Sequence, residues 1–110
     1  KYENNYKDIL PKDILTFQKS IENRRRITWL VSVLLDEKID REEYIGELEQ
    51  KGIDARPFFY SLSDMDIYKA YCKNFTHISH KLSKVGLNLP TYESLRSMDE
   101  IKKIIAGIKL

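Results

Sequence analysis

The sequence predicts an α+β fold, a small sheet with helices packed on it, built over a single hydrophobic core. Three observations carry this. Apolar stripes at helical spacing recur near both ends and in the middle of the chain. Short runs rich in β-branched residues, bounded by glycine and proline, lie between them. The length, 110 residues, is enough for one core and too little for two. No internal repeat, low-complexity tract or linker divides the chain, so residues 1–110 are expected to form one domain.

Taken in order, Tyr2, Tyr6, Ile9 and Leu10 share one stripe of a short helix that Pro11 stops, since proline cannot continue the hydrogen-bond ladder. Leu15 and Phe17 predict a short strand, and residues 22–26 read as a turn. The segment 27–35 is rich in β-branched and aromatic residues and predicts a buried strand. Asp40 is a natural N-cap with Glu43 three residues on, and Ile39 and Tyr44 are placed for a hydrophobic staple. Tyr44, Ile45 and Leu48 then share a helix face, and Gly52 supplies the left-handed residue that closes the helix.

A second extended segment is predicted over 53–60. Arg56 is pushed out of the helical region by Pro57, which itself lacks an N–H and belongs at a strand end or edge. Side chains of Phe58, Phe59 and Tyr60 are expected to alternate sides, one face packing in the core. Residues 64–71 read as loop with some helix, and residues 76–84 as a short helix ending before Gly86. Leu87 and Leu89 alternate with Asn88 in a brief strand that Pro90 ends. Ser97 and Glu100 form another capping box, and Ile101, Ile104, Ile105 and Ile108 line one side of the last helix.

Composition narrows the function classes. Nineteen Lys and Arg against seventeen Asp and Glu leave a charge of only +2, spread along the chain, which argues against nucleic acid and against an anionic membrane surface. The one basic run, Arg24-Arg25-Arg26, suits either a phosphate contact or a solvated turn. Cys72 is the only cysteine, so no internal disulfide forms. The longest apolar stretch, 27–35, is too short to span a bilayer. The chain starts without an initiator methionine or an apolar signal core, so it is expected to begin mid-protein, as a fragment, and to reside in the cytoplasm.

Chemistry-bearing patterns are few. His77 and His80 stand three apart on a predicted helix, a spacing that can hold a metal, but no acidic or cysteine pattern completes a shell and no metal is expected. Four scattered glycines form no phosphate-cradling loop, and no Ser/His/Asp arrangement for nucleophilic catalysis is evident.

Two stretches are more specific than the fold requires. One is Gly52-Ile53-Asp54-Ala55-Arg56-Pro57-Phe58-Phe59-Tyr60-Ser61-Leu62-Ser63; the other is Leu82-Ser83-Lys84-Val85-Gly86-Leu87-Asn88-Leu89-Pro90. With Thr28-Trp29-Leu30-Val31-Ser32-Val33-Leu34-Leu35, they resemble the C-terminal segments of the DegT/DnrJ/StrS family of sugar aminotransferases. There a strand of the kind YWMxSILL leads into a helix, then GIxTRPxFxPLH, then LSxxGLNLP and a final helix. Order and spacing agree over residues 27–110, and residues 1–10 look like the end of the long helix that precedes them. Within the family, the run Arg56 to Tyr60 looks closest to the GDP-perosamine synthase-like branch.

The resemblance implies the C-terminal small domain of an enzyme with the aspartate-aminotransferase fold, fold type I. Such enzymes pass an amino group from an amino acid, usually glutamate, to a nucleotide-linked keto-sugar, with pyridoxal phosphate as the electron sink. They make amino sugars, often for polysaccharides, and work as homodimers with active sites at the interface. The family's cofactor lysine, its aspartate partner and most phosphate contacts lie in the large domain, with no matching motif in these residues. The implied partners are that large domain, a homodimer partner and the nucleotide-sugar. The fragment itself is expected to bind no cofactor, hold no catalytic residue and be inactive.

Arg56, Phe58 and Ser63 are the implied substrate-binding positions. The Arg56 guanidinium can clamp a carboxylate or phosphate, or pair with Asp54 and fix the strand. Ser61-Leu62-Ser63 stands where the family usually has Pro-Leu-His, and Ser63 cannot replace an imidazole in proton transfer. Met65-Asp66-Ile67-Tyr68 likewise alters the family's MPxY, which puts the sugar specificity in question. The competing reading is a non-catalytic α+β module that docks an apolar face on a partner protein.

Overall fold

A computed structural model describes residues 2–72, 76–91 and 97–106. Helix α1 (Tyr2–Ile9) stops ahead of Pro11, and strand β1 (Leu15–Phe17) follows. Strand β2 (Val31–Leu35) leads into helix α2 (Arg41–Gln50), then strand β3 (Arg56–Pro57). A single 3-10 turn (Leu62–Asp64) and a one-turn helix α3 (Asp66–Lys69) precede helix α4 (His77–Val85). Strand β4 (Gly86–Leu89) continues from α4 with no intervening loop, and helix α5 (Met98–Ala106) ends the described chain.

The four strands form one antiparallel sheet in the order β1-β2-β4-β3. Register pairs Leu15 with Leu35, Val33 with Phe17 and Leu87, and Val31 with Leu89. One face therefore carries a continuous apolar set, as period-two alternation requires. Tyr6, Leu10, Tyr44, Leu48, Ile53, Ile101 and Ile105 join those strand residues in the core. Burial pushes the Tyr44 phenol up to about 12, with Glu47 adding to the rise, so it stays neutral at physiological pH. Ser32 and Asn88, paired across β2 and β4, lie on the opposite face.

Helix α2 shows how local chemistry sets these boundaries. Asp40 Oδ1 accepts from the Glu43 backbone N–H at 3.0 Å, filling one of the donors that a helix start leaves open. At the far end Gly52 takes φ 76°, Ile53 N–H reaches Leu48 O at 2.8 Å and Gly52 N–H reaches Glu49 O at 2.8 Å. This Schellman pair is sealed by the buried side chains of Leu48 and Ile53. In α5, the Glu100 N–H donates to Ser97 Oγ at 3.3 Å and Ile101 and Ile105 are buried. The Ile104 side chain and Ile108 lie outside the described residues.

Two extended segments are shorter than the sequence predicts. The strand expected over 27–35 begins at Val31, and Ile27 and Trp29 are 91% and 76% exposed. Its partner β4 ends at Leu89, opposite Val31, because Pro90 has no N–H to continue the ladder. The segment expected over 53–60 pairs only at Arg56 and Pro57, with one further bond from Phe58 N–H to Gly86 O at 3.0 Å. Gly86 is the first residue of β4, so nothing remains to pair beyond it. Phe59 and Tyr60 are consequently both exposed rather than alternating between core and solvent.

Candidate functional site

Arg56 stands on the edge strand β3, which Pro57 confines to the sheet margin. Its guanidinium holds the Asp54 carboxylate in a two-pronged pair, Nε to Oδ1 at 3.3 Å and Nη2 to Oδ2 at 3.1 Å. Hydrogen bonding to Asp54, reinforced by its charge, raises the guanidinium pKa above its ordinary value, so Arg56 is permanently cationic. Both residues face solvent, at 75% and 54% side-chain exposure, so the pair adds little to stability.

Beside this pair lies a cleft of about 390 Å³ lined by Trp29, Leu30, Asp54, Arg56, Pro57, Phe59, Asn88, Leu89 and Pro90. Its frame is fixed from below. Tyr6 Oη donates to Pro90 O at 2.8 Å in a buried bond, and Thr91 Oγ1 donates to Trp29 O at 3.0 Å. Asn88, itself buried, accepts from Ser32 Oγ at 2.7 Å and donates to Pro57 O at 3.4 Å. The backbone is thus tied down while the Trp29 and Phe59 side chains remain about three-quarters exposed.

Phe58 and Ser63 lie elsewhere than the Arg56 cleft. The Phe58 ring is half-buried and packs over Gly86, whose missing Cβ would come within 2.5 Å of Phe58 Cδ2. Ser63 belongs to a knot of hydroxyls: Ser63 Oγ lies 2.7 Å from both Ser61 Oγ and Thr76 Oγ1, and Ser61 Oγ donates to Ser79 Oγ at 3.1 Å. Next to it His80 Nδ1 meets Asp64 Oδ2 at 2.7 Å, joining the 3-10 turn to α4. Among the described residues no group of three or more His, Cys, Asp or Glu is arranged to hold a metal, and Cys72 is exposed.

The basic run resolves into one structural and two exposed residues. Arg26 donates to Glu3 Oε1 at 3.0 Å and to Gln18 O at 3.2 Å, while Arg24 and Arg25 face solvent. The Asp54 partner of Arg56 was one of the two sequence readings, whereas Trp29 and the Ser32–Asn88 pair were not singled out by the sequence patterns. Trp29 read as part of a buried strand, and only the early end of β4 reveals that it is exposed.

As described, this cleft does not fit pyridoxal phosphate. An imine with its aldehyde needs an amine, and among the described residues no lysine lines the cleft and its cation, Arg56, already holds a carboxylate. Among the described residues no helix is long and apolar enough to cross a membrane.

Comparison with known proteins gives a consistent set of relatives. Residues 1–109 match the DegT/DnrJ/EryC1/StrS aminotransferase family. GDP-perosamine synthase of Vibrio cholerae is 33% identical over 84 residues, which cover 74% of this chain and 23% of that protein. GDP-perosamine synthase of Caulobacter vibrioides is 31% identical over 86 residues, covering 76% and 23% respectively. GDP-perosamine synthase of Escherichia coli O157:H7 is 38% identical over 68 residues, covering 61% and 18%. The chain therefore spans about a quarter or less of the length of these relatives.

Proposed function

Because the chain belongs to the DegT/DnrJ/EryC1/StrS aminotransferase family, we propose that it is the C-terminal small domain of a sugar aminotransferase that moves an amino group from glutamate to a nucleotide-linked keto-sugar. The observation that carries this reading is the family match over residues 1–109. The names of the relatives support a GDP-linked sugar as substrate. The rest of a longer polypeptide is proposed to hold pyridoxal phosphate, which supplies the electron sink when bound. The enzyme is proposed to be a cytoplasmic homodimer.

This chain's own part is binding and orientation. Arg56, on a rigid sheet edge beside a cleft, is the residue we propose to meet substrate, and the tied-down frame of Asn88 and Pro90 keeps it in place. Phe58 fills the space over Gly86 and so supports the segment that carries Arg56. Ser63, within the hydroxyl knot, is proposed to take the sugar-facing role of the family's histidine by hydrogen bonding rather than proton transfer.

The test is amino transfer by the parent polypeptide that carries this chain. With pyridoxal phosphate, glutamate and a GDP-linked keto-sugar, it is expected to form 2-oxoglutarate and the amino sugar in equal amounts. A parent polypeptide that binds the cofactor but transfers no amino group to any nucleotide-linked keto-sugar overturns the reading. The chain alone is expected to give no stoichiometric, borohydride-trappable imine at a single lysine.

A further inference from the structure

We propose that the notch between the end of α1, helix α2 and helix α5 is a binding site for an alkylammonium group, the charged head and apolar stem that a lysine side chain and a free aliphatic amine share. The notch has no lining residue in common with the Arg56 cleft and does not depend on the aminotransferase reading.

The polar centre of the notch is Tyr44. It belongs to the core and is only 2% exposed, yet among the described residues nothing donates to or accepts from its hydroxyl. Every fully enclosed side-chain nitrogen or oxygen among those residues has a partner. The Tyr44 oxygen is therefore reached from open space, and the notch is the space that Tyr44 lines. A buried hydroxyl without a partner destabilises a fold, and an occupant that hydrogen-bonds to it removes that penalty.

Charge and shape then name the occupant. Asp13 brings a carboxylate to the exposed rim of the notch and has no ion-pair partner among the described residues. The charge of Glu47, one turn along α2 from Tyr44, acts on the same phenol. Helix α1 ends here, where Pro11 has no N–H to offer the Lys7 carbonyl, so the helix end adds partial negative charge. No lysine or arginine among the described residues lines the notch. Its walls are aliphatic, from Ile9, Leu10, Ile14 and Ile105, and its volume of about 480 Å³ lies within the range of small-molecule sites. An ammonium group carries three donors and no acceptor, which suits a carboxylate, a phenol oxygen and helix carbonyls. A methylene stem suits the walls. An anion would meet like charge, and a neutral alcohol would leave Asp13 without a counter-charge.

Calorimetric titration of the 110-residue chain with n-pentylammonium chloride is expected to show one saturable site. Pentanol has the same stem without the charge, and ammonium chloride has the charge without the stem; each should bind at least about tenfold more weakly. Asp13→Asn should weaken pentylammonium at least about tenfold and leave pentanol unchanged. Tyr44→Phe should weaken pentylammonium several-fold with the urea midpoint held or raised, since the hydroxyl removed has no partner. Nα-acetyl-lysine methylamide tells the two sources apart. Binding as tight as pentylammonium marks a seat for the lysine side chain of a partner protein, and much weaker binding marks a seat for a free amine. No saturable binding of pentylammonium by a cooperatively folded chain, equal binding of pentanol, or binding that survives Asp13→Asn combined with Tyr44→Phe each overturns the proposal. A lowered midpoint for Tyr44→Phe overturns it too, because the hydroxyl would then have a partner inside the fold. None of these readouts involves amino transfer, so the ammonium site and the transferase reading fail independently.

Discussion

Gly86 lies so close beneath the Phe58 ring that a Cβ on it would stand 2.5 Å from Phe58 Cδ2 and 2.7 Å from Leu82 O. Its φ of −81° is open to any residue, so the glycine is there for space and not for backbone freedom. Gly86→Ala is therefore expected to destabilise the fold by about 1–3 kcal/mol through overpacking. Replacing Phe58 by Leu in the same chain should return part of the loss, because the smaller side chain can make room for the methyl group. Urea midpoints for the two single variants and the double variant measure this coupling.

Asp40→Ala should cost about 1 kcal/mol, since the carboxylate accepts from the Glu43 N–H at 3.0 Å and nothing else in the Ala variant takes that place. Glu43→Ala should cost less. Denaturant midpoints for Asp40→Ala that match the parent chain would show that the cap contributes nothing.

How much of the molecule could be read from its sequence depends on how far the controlling partner lies along the chain. Asp40, Gly52 and Ser97 act within four residues of themselves, so the ends of α2 and the start of α5 were readable. The start of β2 was not, because Val31 pairs with Leu89 and it is Pro90, some sixty residues away, that ends the ladder. The Arg56–Asp54 pair was visible as a possibility, being two residues apart. The hydroxyl knot and the His80–Asp64 contact were not, because they join residues 61–64 to residues 76–80 across a turn in the fold.

Glu3 ties α1 to the following loop, accepting from Lys7 at 2.7 Å, Arg26 at 3.0 Å and Thr28 at 3.2 Å. The Lys7 hydrogen bond above all, with help from the Arg26 charge, holds its pKa below the ordinary 4.5. A carboxylate whose folded value is depressed contributes stability above its unfolded value, and that contribution disappears as pH falls through the folded value. The parent chain should thus lose stability relative to Glu3→Gln on acidification from neutral pH to below the carboxylate range. The difference should shrink in high salt, as expected for a pair near the surface. Unfolding midpoints at neutral and acid pH check it; parallel curves for the two proteins would show that Glu3 is idle.

The apolar side chains left outside the core include Ile27, Phe59, Tyr60, Ile67, Tyr71 and Ile78, each more than seventy per cent exposed. A chain that shows this much apolar surface is expected to bind hydrophobic dyes and to self-associate, the proposed large domain or second subunit being what would otherwise cover part of it. Sedimentation and dye fluorescence across a concentration series read both effects. A strictly monomeric chain with no dye binding would favour an autonomous module over an aminotransferase domain.

Arg56 offers the sharpest division between chemistry and scaffold. In the proposed parent enzyme Arg56→Ala should lower kcat/KM by about one to two powers of ten, the usual cost of losing a charge-assisted contact of roughly 1.5–3 kcal/mol. If Arg56 holds a part of the substrate that does not change during the reaction, the contact is made equally in ground and transition states, and the loss should appear in KM with kcat held. If Arg56 instead clamps the carboxylate of the amino donor near the reaction, kcat should fall as well. Arg56→Lys keeps the charge but loses the fork and should recover only part of the loss in either case. Stability should hardly change, because the Asp54 pair is exposed to solvent. A lowered unfolding midpoint in both variants, with turnover per folded molecule unchanged, would make Arg56 part of the scaffold and remove it from the site.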